Sequence, residues 1–194
     1  MGATGVVTGE DFTFGKGRSG NIGVLETLGA AHGITCAALG PVCDEDGPIS
    51  SSRIRDALKA GDCDTATRLL TRPFAVEGRV QHGDKNGRKL GFPTANIDMA
   101  HYLRPRYGIY AVRGRTADGR TLLGAANLGI RPSFDPPKEL LEPHFFDFSG
   151  DLYDQVIEID FISFLRPEAK FDSLDALMVQ MARDCDEARA ILAA

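Results

Sequence analysis

The sequence predicts an α+β protein: a closed antiparallel β-barrel with one helix packed on it, preceded by a βαβ unit. Three observations lead there. Residues 6–39 read as strand, glycine-rich loop, helix and strand, the grammar of a βαβ unit. After Pro73, helical spacing gives way to short alternating runs joined by turns, the pattern of a small barrel. Residues 173–192 then return to helical spacing.

In chain order, Val6-Val7-Thr8-Gly9 is a short strand running into a loop, and Ile22 to His32 is a helix with Asn21 as its N-cap and Gly33 ending it. Thr35 to Leu39 is the second strand. Ser52 to Ala60 and Cys63 to Leu70 are helices separated by Gly61-Asp62. Near residue 72 the pattern changes, so the domains are expected at 1–72 and 73–194. Phe74 to Val80 opens the barrel. Tyr107 to Arg113 and Thr121 to Leu128 form a hairpin across Ala117-Asp118-Gly119-Arg120, with Asp-Gly as the turn signature. Glu142 to Phe148 and Val156 to Phe164 supply further strands; in the last, Ile157, Ile159 and Phe161 alternate with Glu158, Asp160 and Ile162. The final helix is capped by Asp172 or Ser173. Its stripe of Leu174, Leu177, Met178, Met181, Cys185, Ala188 and Leu192 is expected to pack on the outside of the barrel as core.

Composition narrows the function classes. The chain has 194 residues, 43% hydrophobic and 25% charged, with a net charge of −5 and a pI near 5.4. That balance fits an ordinary globular protein and argues against a general nucleic-acid binder. No apolar run approaches the ~20 residues of a membrane helix, and Met1 to Gly5 carries no signal-peptide pattern. Cys36, Cys43, Cys63 and Cys185 are widely spaced, without Cys-x-x-Cys pairs. They read as buried thiols of a cytosolic protein.

The chemistry concentrates in His82 to Ile97. Glycines 83, 87 and 91 allow backbone N–H groups to approach an anion, and Lys85, Arg88 and Lys89 add positive charge. Thr94 and Asn96 offer a hydroxyl and an amide. Taken alone, these residues suit either a nucleotide phosphate with its metal or a basic hairpin loop closed by a proline turn. Two other stretches stand out. Gly15-Lys16-Gly17-Arg18-Ser19-Gly20-Asn21 is a glycine loop before a helix, but lacks the Gly-Lys-Ser/Thr order of a P-loop. Ile49-Ser50-Ser51-Ser52-Arg53-Ile54-Arg55 puts serines and arginines at a helix start, suiting an anion or a capped surface helix.

The chain resembles the C-terminal part of the bacterial bifunctional riboflavin kinase/FAD synthetase family. Gly87-Arg88-Lys89-Leu90-Gly91-Phe92-Pro93-Thr94-Ala95-Asn96 is similar to that family's kinase signature. Asn127-Leu128-Gly129-Ile130-Arg131-Pro132-Ser133-Phe134 and Glu142 to Tyr153 are similar to its second and third blocks. Leu165-Arg166-Pro167-Glu168 with Phe171-Asp172-Ser173-Leu174 matches the link into the last helix. The blocks run in order through residues 73–192. Gly9 to Gly15 and Ile49 to Arg55 resemble the second half of the family's adenylyltransferase module. The His-x-Gly-His-type motif of its first half is absent: the histidines are His32, His82, His101 and His144. The resemblance thus implies a riboflavin kinase-like barrel after a partial Rossmann-like α/β remnant, in a chain shortened at its N-terminus.

It further implies transfer of the ATP γ-phosphate to the riboflavin 5′-hydroxyl, giving FMN and ADP. Glu142 is then the general base. Gly78, His82, Gly83, Arg88, Gly91, Pro93, Thr94 and Asn96 bind nucleotide, with Thr94 and Asn96 also holding Mg2+. Asn127, Arg131 and Glu142 face the flavin. Ser51, Ser52 and Arg53 are the vestige of the adenylyltransferase site, so FAD synthesis is not expected. A flavin-binding module without turnover is the alternative. Partners are riboflavin, FMN and ATP or ADP, with neither nucleic acid nor membrane. Residues 1–72 are too few for a full core, so they are expected to lean on the barrel or to self-associate through a free strand edge. Three residues depart from the family pattern: Pro143, which places its strand at an edge or bulge, Ser133 and Asp154.

Overall fold

The structure, a computed structural model, describes residues 2–83, 87, 90–131 and 137–193. They fall into two compact units, Met1–Ser50 and Ser51–Ala194.

In the first unit β1 (Gly5–Gly9) pairs in parallel with β2 (Thr35–Leu39), Val6 opposite Cys36. The crossover is α1 (Ile22–Ala31), whose Asn21 cap accepts a hydrogen bond from the Val24 amide at 3.1 Å. Gly29 lets the helix close on β2: a Cβ there would meet Cys36 Sγ at 2.5 Å. Lys16–Arg18 forms a short 3-10 turn, with Gly15 and Gly17 at φ +78° and +66°, where glycine is the favoured residue. A small hairpin, β3 (Cys43–Asp44) with β4 (Gly47–Pro48), completes the unit; it leaves Cys43 exposed, so of the cysteines expected to be buried Cys63 is buried and Cys36 and Cys185 are partly so.

The second unit opens with α2 (Ser51–Ala60) and α3 (Cys63–Leu70). Asp62 is the N-cap of α3, accepting from the Thr65 amide at 2.9 Å, rather than only the end of α2. These helices pack with the barrel. Leu58 is buried and its carbonyl accepts from the Arg106 amide at 2.9 Å, and Gly61 fits beneath the Phe164 ring.

The barrel strands are β5 (Phe74–Arg79), β6 (Ile97–Asp98), β7 (Gly108–Thr116), β8 (Thr121–Arg131), β9 (Lys138–Phe145) and β10 (Val156–Arg166). Their order is β5-β10-β7-β8-β9-β6, antiparallel wherever they pair. A bridge between Gln81 and Asn96 nearly closes the ring, the Gln81 amide donating to the Asn96 carbonyl at 2.8 Å. Val76, Ile97, Tyr110, Val112, Leu128, Leu141, Ile157, Ile159 and Phe161 fill the interior. The alternation expected in β10 therefore holds on its inner face. Its outer face differs: Asp160 is only 2% exposed and pairs with Arg115 at 2.8 Å, so a charge expected to meet water is buried and neutralised.

The strand expected over 142–148 runs over Lys138–Phe145 instead. Its charged first half, Lys138 and Glu139, conceals the alternation, yet each pairs with β8. Pro143 is at neither an edge nor a bulge, because β9 lies between β8 and β6 in regular register. Its carbonyl accepts from the Ala95 amide at 2.9 Å, so its nitrogen faces that same side and no β8 bond is lost.

The last helix, α4 (Leu174–Leu192), is capped by Ser173, whose Oγ accepts from the Ala176 amide at 3.1 Å. It lies against Ala111, Ala125 and Phe146 on the outer barrel wall through Cys185, Ala188, Ile191 and Leu192. The expected stripe needs correction at its start. Leu174 and Met178 are 56% and 36% exposed, because only the later turns reach the barrel. The packed face instead includes Asp184, which takes two hydrogen bonds from Arg166 at 2.8 and 2.6 Å and one from Gln180 at 2.8 Å.

Candidate functional site

Among the clefts on the barrel, two meet at Thr94, which lines both. The segment that carries Thr94 is held by short-range bonds. The Gly87 carbonyl accepts from the Leu90 and Phe92 amides at 3.0 and 2.9 Å, and Ala95 is tied to Pro143. Gly91, with φ +84°, makes the turn into Phe92-Pro93-Thr94.

The smaller cleft, about 80 Å³, lies at the barrel mouth between Val80, Pro93, Thr94, Pro143, Asp151 and Tyr153. His82 stands at its rim, its ring stacked on Tyr153 at 3.8 Å between centroids. Gly83 abuts Asn96: a Cβ there would meet Asn96 Nδ2 at 2.5 Å and Oδ1 at 3.0 Å. Asn96 is 9% exposed. Gly78 has a packing reason for its identity, because a side chain would strike Ile97 Cγ2 at 2.5 Å, where the barrel nearly closes. Of the predicted nucleotide-binding set, Pro93 and Thr94 line this cleft, while His82, Gly83 and Asn96 stand beside it. Arg88, with Lys85 and Lys89, lies outside the described residues, as does Ser133.

The larger cleft, about 230 Å³, lies between the outer wall of β8 and β9, the Phe92 segment and α4. Leu90, Phe92, Ile109, Leu177 and Met181 give it apolar walls, while Asn127, Glu142 and His144 give it polar groups. The helical stripe read as core thus has a second duty: Leu177, Met181 and Cys185 line this cleft. Burial pushes the Cys185 thiol up to about 11, so it stays protonated and serves as wall.

Asn127 and Glu142 face each other across the β8–β9 ladder. Asn127 Oδ1 is buried and has no hydrogen-bond partner among the described residues. A buried acceptor left open costs free energy unless something donates to it. Glu142 is ion-paired with Arg131, whose Nη1 also reaches Glu168 at 3.1 Å. Gly129 makes room for that second carboxylate, which would collide with any Cβ there. Glu168 thus joins the Arg131–Glu142 pair and is not among the site residues the sequence suggested; its sequence signal is its place in the Leu165-Arg166-Pro167-Glu168 block. A few residues away Glu139 accepts from Tyr107 Oη and from Arg104 Nε at 2.6 Å. The Tyr107 and Arg104 bonds hold its carboxyl below the ordinary value of 4.5, and the Glu139 bond pushes Tyr107 up to about 12.

The adenylyltransferase candidates lie elsewhere. Ser51 and Ser52 are exposed on the first turn of α2, where Ser51 Oγ accepts from Arg55 at 3.1 Å, and Arg53 is half-buried. No helix among the described residues is long and apolar enough to cross a membrane.

Comparison with known proteins agrees with this layout. The family model "Riboflavin kinase" matches residues 70–192, and the model "FAD synthetase" matches residues 1–53. The bifunctional riboflavin kinase/FMN adenylyltransferase of Haemophilus influenzae is 41% identical over 94% of this chain and 59% of its own length. The namesake from Pseudomonas fluorescens is 41% identical over 100% of this chain and 62% of its own. The chain thus spans about 60% of the length of the curated relatives it matches. A solved structure titled as a macrolide-efflux protein from Streptococcus pneumoniae superposes with TM-score 0.82 at 32% identity, covering 96% of this chain and 60% of that one. Its title names a different activity, but the matching region includes both units described above. With the riboflavin kinase model spanning well over half of its residues, including both clefts, this chain belongs to the riboflavin kinase family.

Proposed function

We propose that the barrel unit transfers the γ-phosphoryl group of ATP to the 5′-hydroxyl of riboflavin, giving FMN and ADP. The observation that carries this reading is the meeting of two clefts at Thr94, with an open amide acceptor and an oriented carboxylate in the larger one. The larger cleft, walled by Phe92, Leu177 and Met181, suits a planar ring system. The smaller, glycine-flanked cleft suits the nucleotide, with His82 and Tyr153 at its rim.

Phosphoryl transfer depends on in-line positioning, charge neutralisation and an activated hydroxyl. Glu142 is the general base. It takes the proton of the ribityl 5′-hydroxyl as that oxygen bonds to the γ-phosphorus and the bond to ADP breaks. Arg131 aims the Glu142 carboxylate by pairing with it. Asn127 orients the flavin through its open carbonyl oxygen. Thr94 and Asn96 are a hydroxyl and an amide beside the nucleotide cleft. They are neutral oxygen donors of the kind that suit magnesium held largely by phosphates. Bound there, magnesium would neutralise charge on the phosphates. Gly83 leaves the Asn96 amide room to serve this role.

The reading extends to the module boundary near residue 72, supported by the riboflavin kinase match beginning at residue 70. It also places the protein in the cytoplasm, where its substrates are. Residues 1–53 match only the FAD synthetase model and carry no His-x-Gly-His motif; this part of the reading assigns no FAD synthesis to the 194-residue chain.

Turnover tests the proposal. With riboflavin, ATP and magnesium, the chain forms FMN, and Glu142→Gln slows this by about 10²–10⁴ while riboflavin fluorescence is still quenched on binding. Quenching without FMN formation in the unaltered chain would favour the flavin-binding module without turnover.

A further inference from the structure

We infer that His144 is a positioning residue: it clasps the Phe92-Pro93-Thr94 segment to β9 and so couples the nucleotide cleft to the flavin cleft. The inference rests on the proposed function for its consequences in turnover, but not for the clasp itself.

The argument starts from a missing bond. β6 and β9 pair Ile97 with Leu141, and this register places Ala95 opposite Pro143. A regular antiparallel pair exchanges two bonds at such a position. Here the Ala95 amide donates to the Pro143 carbonyl at 2.9 Å, but proline has no N–H to return. Before the Gln81–Asn96 bridge, the segment bearing Thr94 would be tied to β9 by one backbone bond. His144 supplies the second tie: its Nδ1 lies 2.8 Å from the Pro93 carbonyl oxygen. A carbonyl only accepts, so Nδ1 carries the hydrogen. The ring is also met edge-on by Phe92 and Phe146, with centroids 5.5 and 6.0 Å away.

The position of this tie gives it a functional consequence. Pro93 and Thr94 line the nucleotide cleft, and Thr94 lines the flavin cleft as well. Glu142 lies two residues before His144 on the same face of β9, and both line the flavin cleft. The imidazole therefore fixes the separation between the group facing the phosphates and the group facing the hydroxyl.

Three variants test this. His144→Phe keeps an aromatic ring but loses the donor. His144→Asn keeps a donor on a shorter side chain. Pro143→Ala combined with His144→Phe returns a backbone N–H to β9. In His144→Phe without ligand, the Ala95 amide is expected to exchange on the order of tenfold faster. Its kcat is expected to fall on the order of tenfold, with each KM moving less than about threefold. His144→Asn and the double variant recover most of the loss. Unchanged Ala95 exchange in His144→Phe overturns the clasp. Faster exchange with unchanged kcat overturns its role between the clefts. Failure of the double variant to recover shows that His144 acts otherwise than as the missing tie. If the unaltered chain makes no FMN, the functional proposal falls, while Ala95 exchange still decides the clasp.

Discussion

The two units of this chain bury themselves to very different degrees. Among residues 2–50, the fully buried positions are two glycines, Gly20 and Gly29, and Val7 and Leu39 are 65% and 64% exposed. In Ser51–Ala194, Val76, Ile97, Tyr110, Val112, Leu128, Leu141 and Ile159 are all at 0%. The difference follows from topology. A barrel turns every strand's inner face toward the others and needs no second layer. A parallel pair depends on layers on both faces, and β1–β2 has one helix, α1. The unit with the closed core is also the one that carries both clefts and the open Asn127 acceptor.

The comparison can be broken or sharpened at several levels. The largest effect is expected on chemistry. Glu142→Gln should lower kcat by about 10²–10⁴, whereas Leu39→Ala in the first unit should leave it unchanged. Equal losses in both would contradict a site confined to the barrel. Next comes stability. Leu141→Ala should cost about 2–5 kcal/mol in denaturant unfolding, against within about 0.5 kcal/mol for exposed Val7→Ala. Amide exchange should follow the same division, with slow exchange in β7 and β10 and fast exchange in β1 and β2.

The smallest effect concerns acid. Tyr107 and Arg104 depress the Glu139 carboxyl, so its contribution to stability is present above the ordinary value of 4.5. It is lost as pH falls through the lower folded value. Glu139→Gln should therefore lower Tm modestly at neutral pH, and the difference from the unaltered chain should shrink as the pH is taken well below 4.5. A difference that grows toward acid would reverse the assignment.

Much of this was legible in sequence, for physical reasons that also explain the remainder. Alternation of Ile157, Ile159 and Phe161 announced the inner face of β10 because barrel strands bury every second residue. Asn21 and Ser173 announced helix starts because their side chains bond nearby amides. What stayed hidden were long-range pairings of charge: Asp160 with Arg115, Asp184 with Arg166, and Glu168 with Arg131 all join residues more than a dozen positions apart. Strand β6, Ile97–Asp98, is too short for periodicity to show. The double use of α4, core at Ala188 and cleft wall at Met181, escaped because an apolar stripe looks the same in either setting.

The central claim is that this chain phosphorylates riboflavin at the barrel and does not adenylylate the product. Separation of the products formed from riboflavin, ATP and magnesium tests it most directly. The account predicts FMN as the sole flavin product, lost in Glu142→Gln. FAD among the products, or FMN formation that survives Glu142→Gln undiminished, would contradict it.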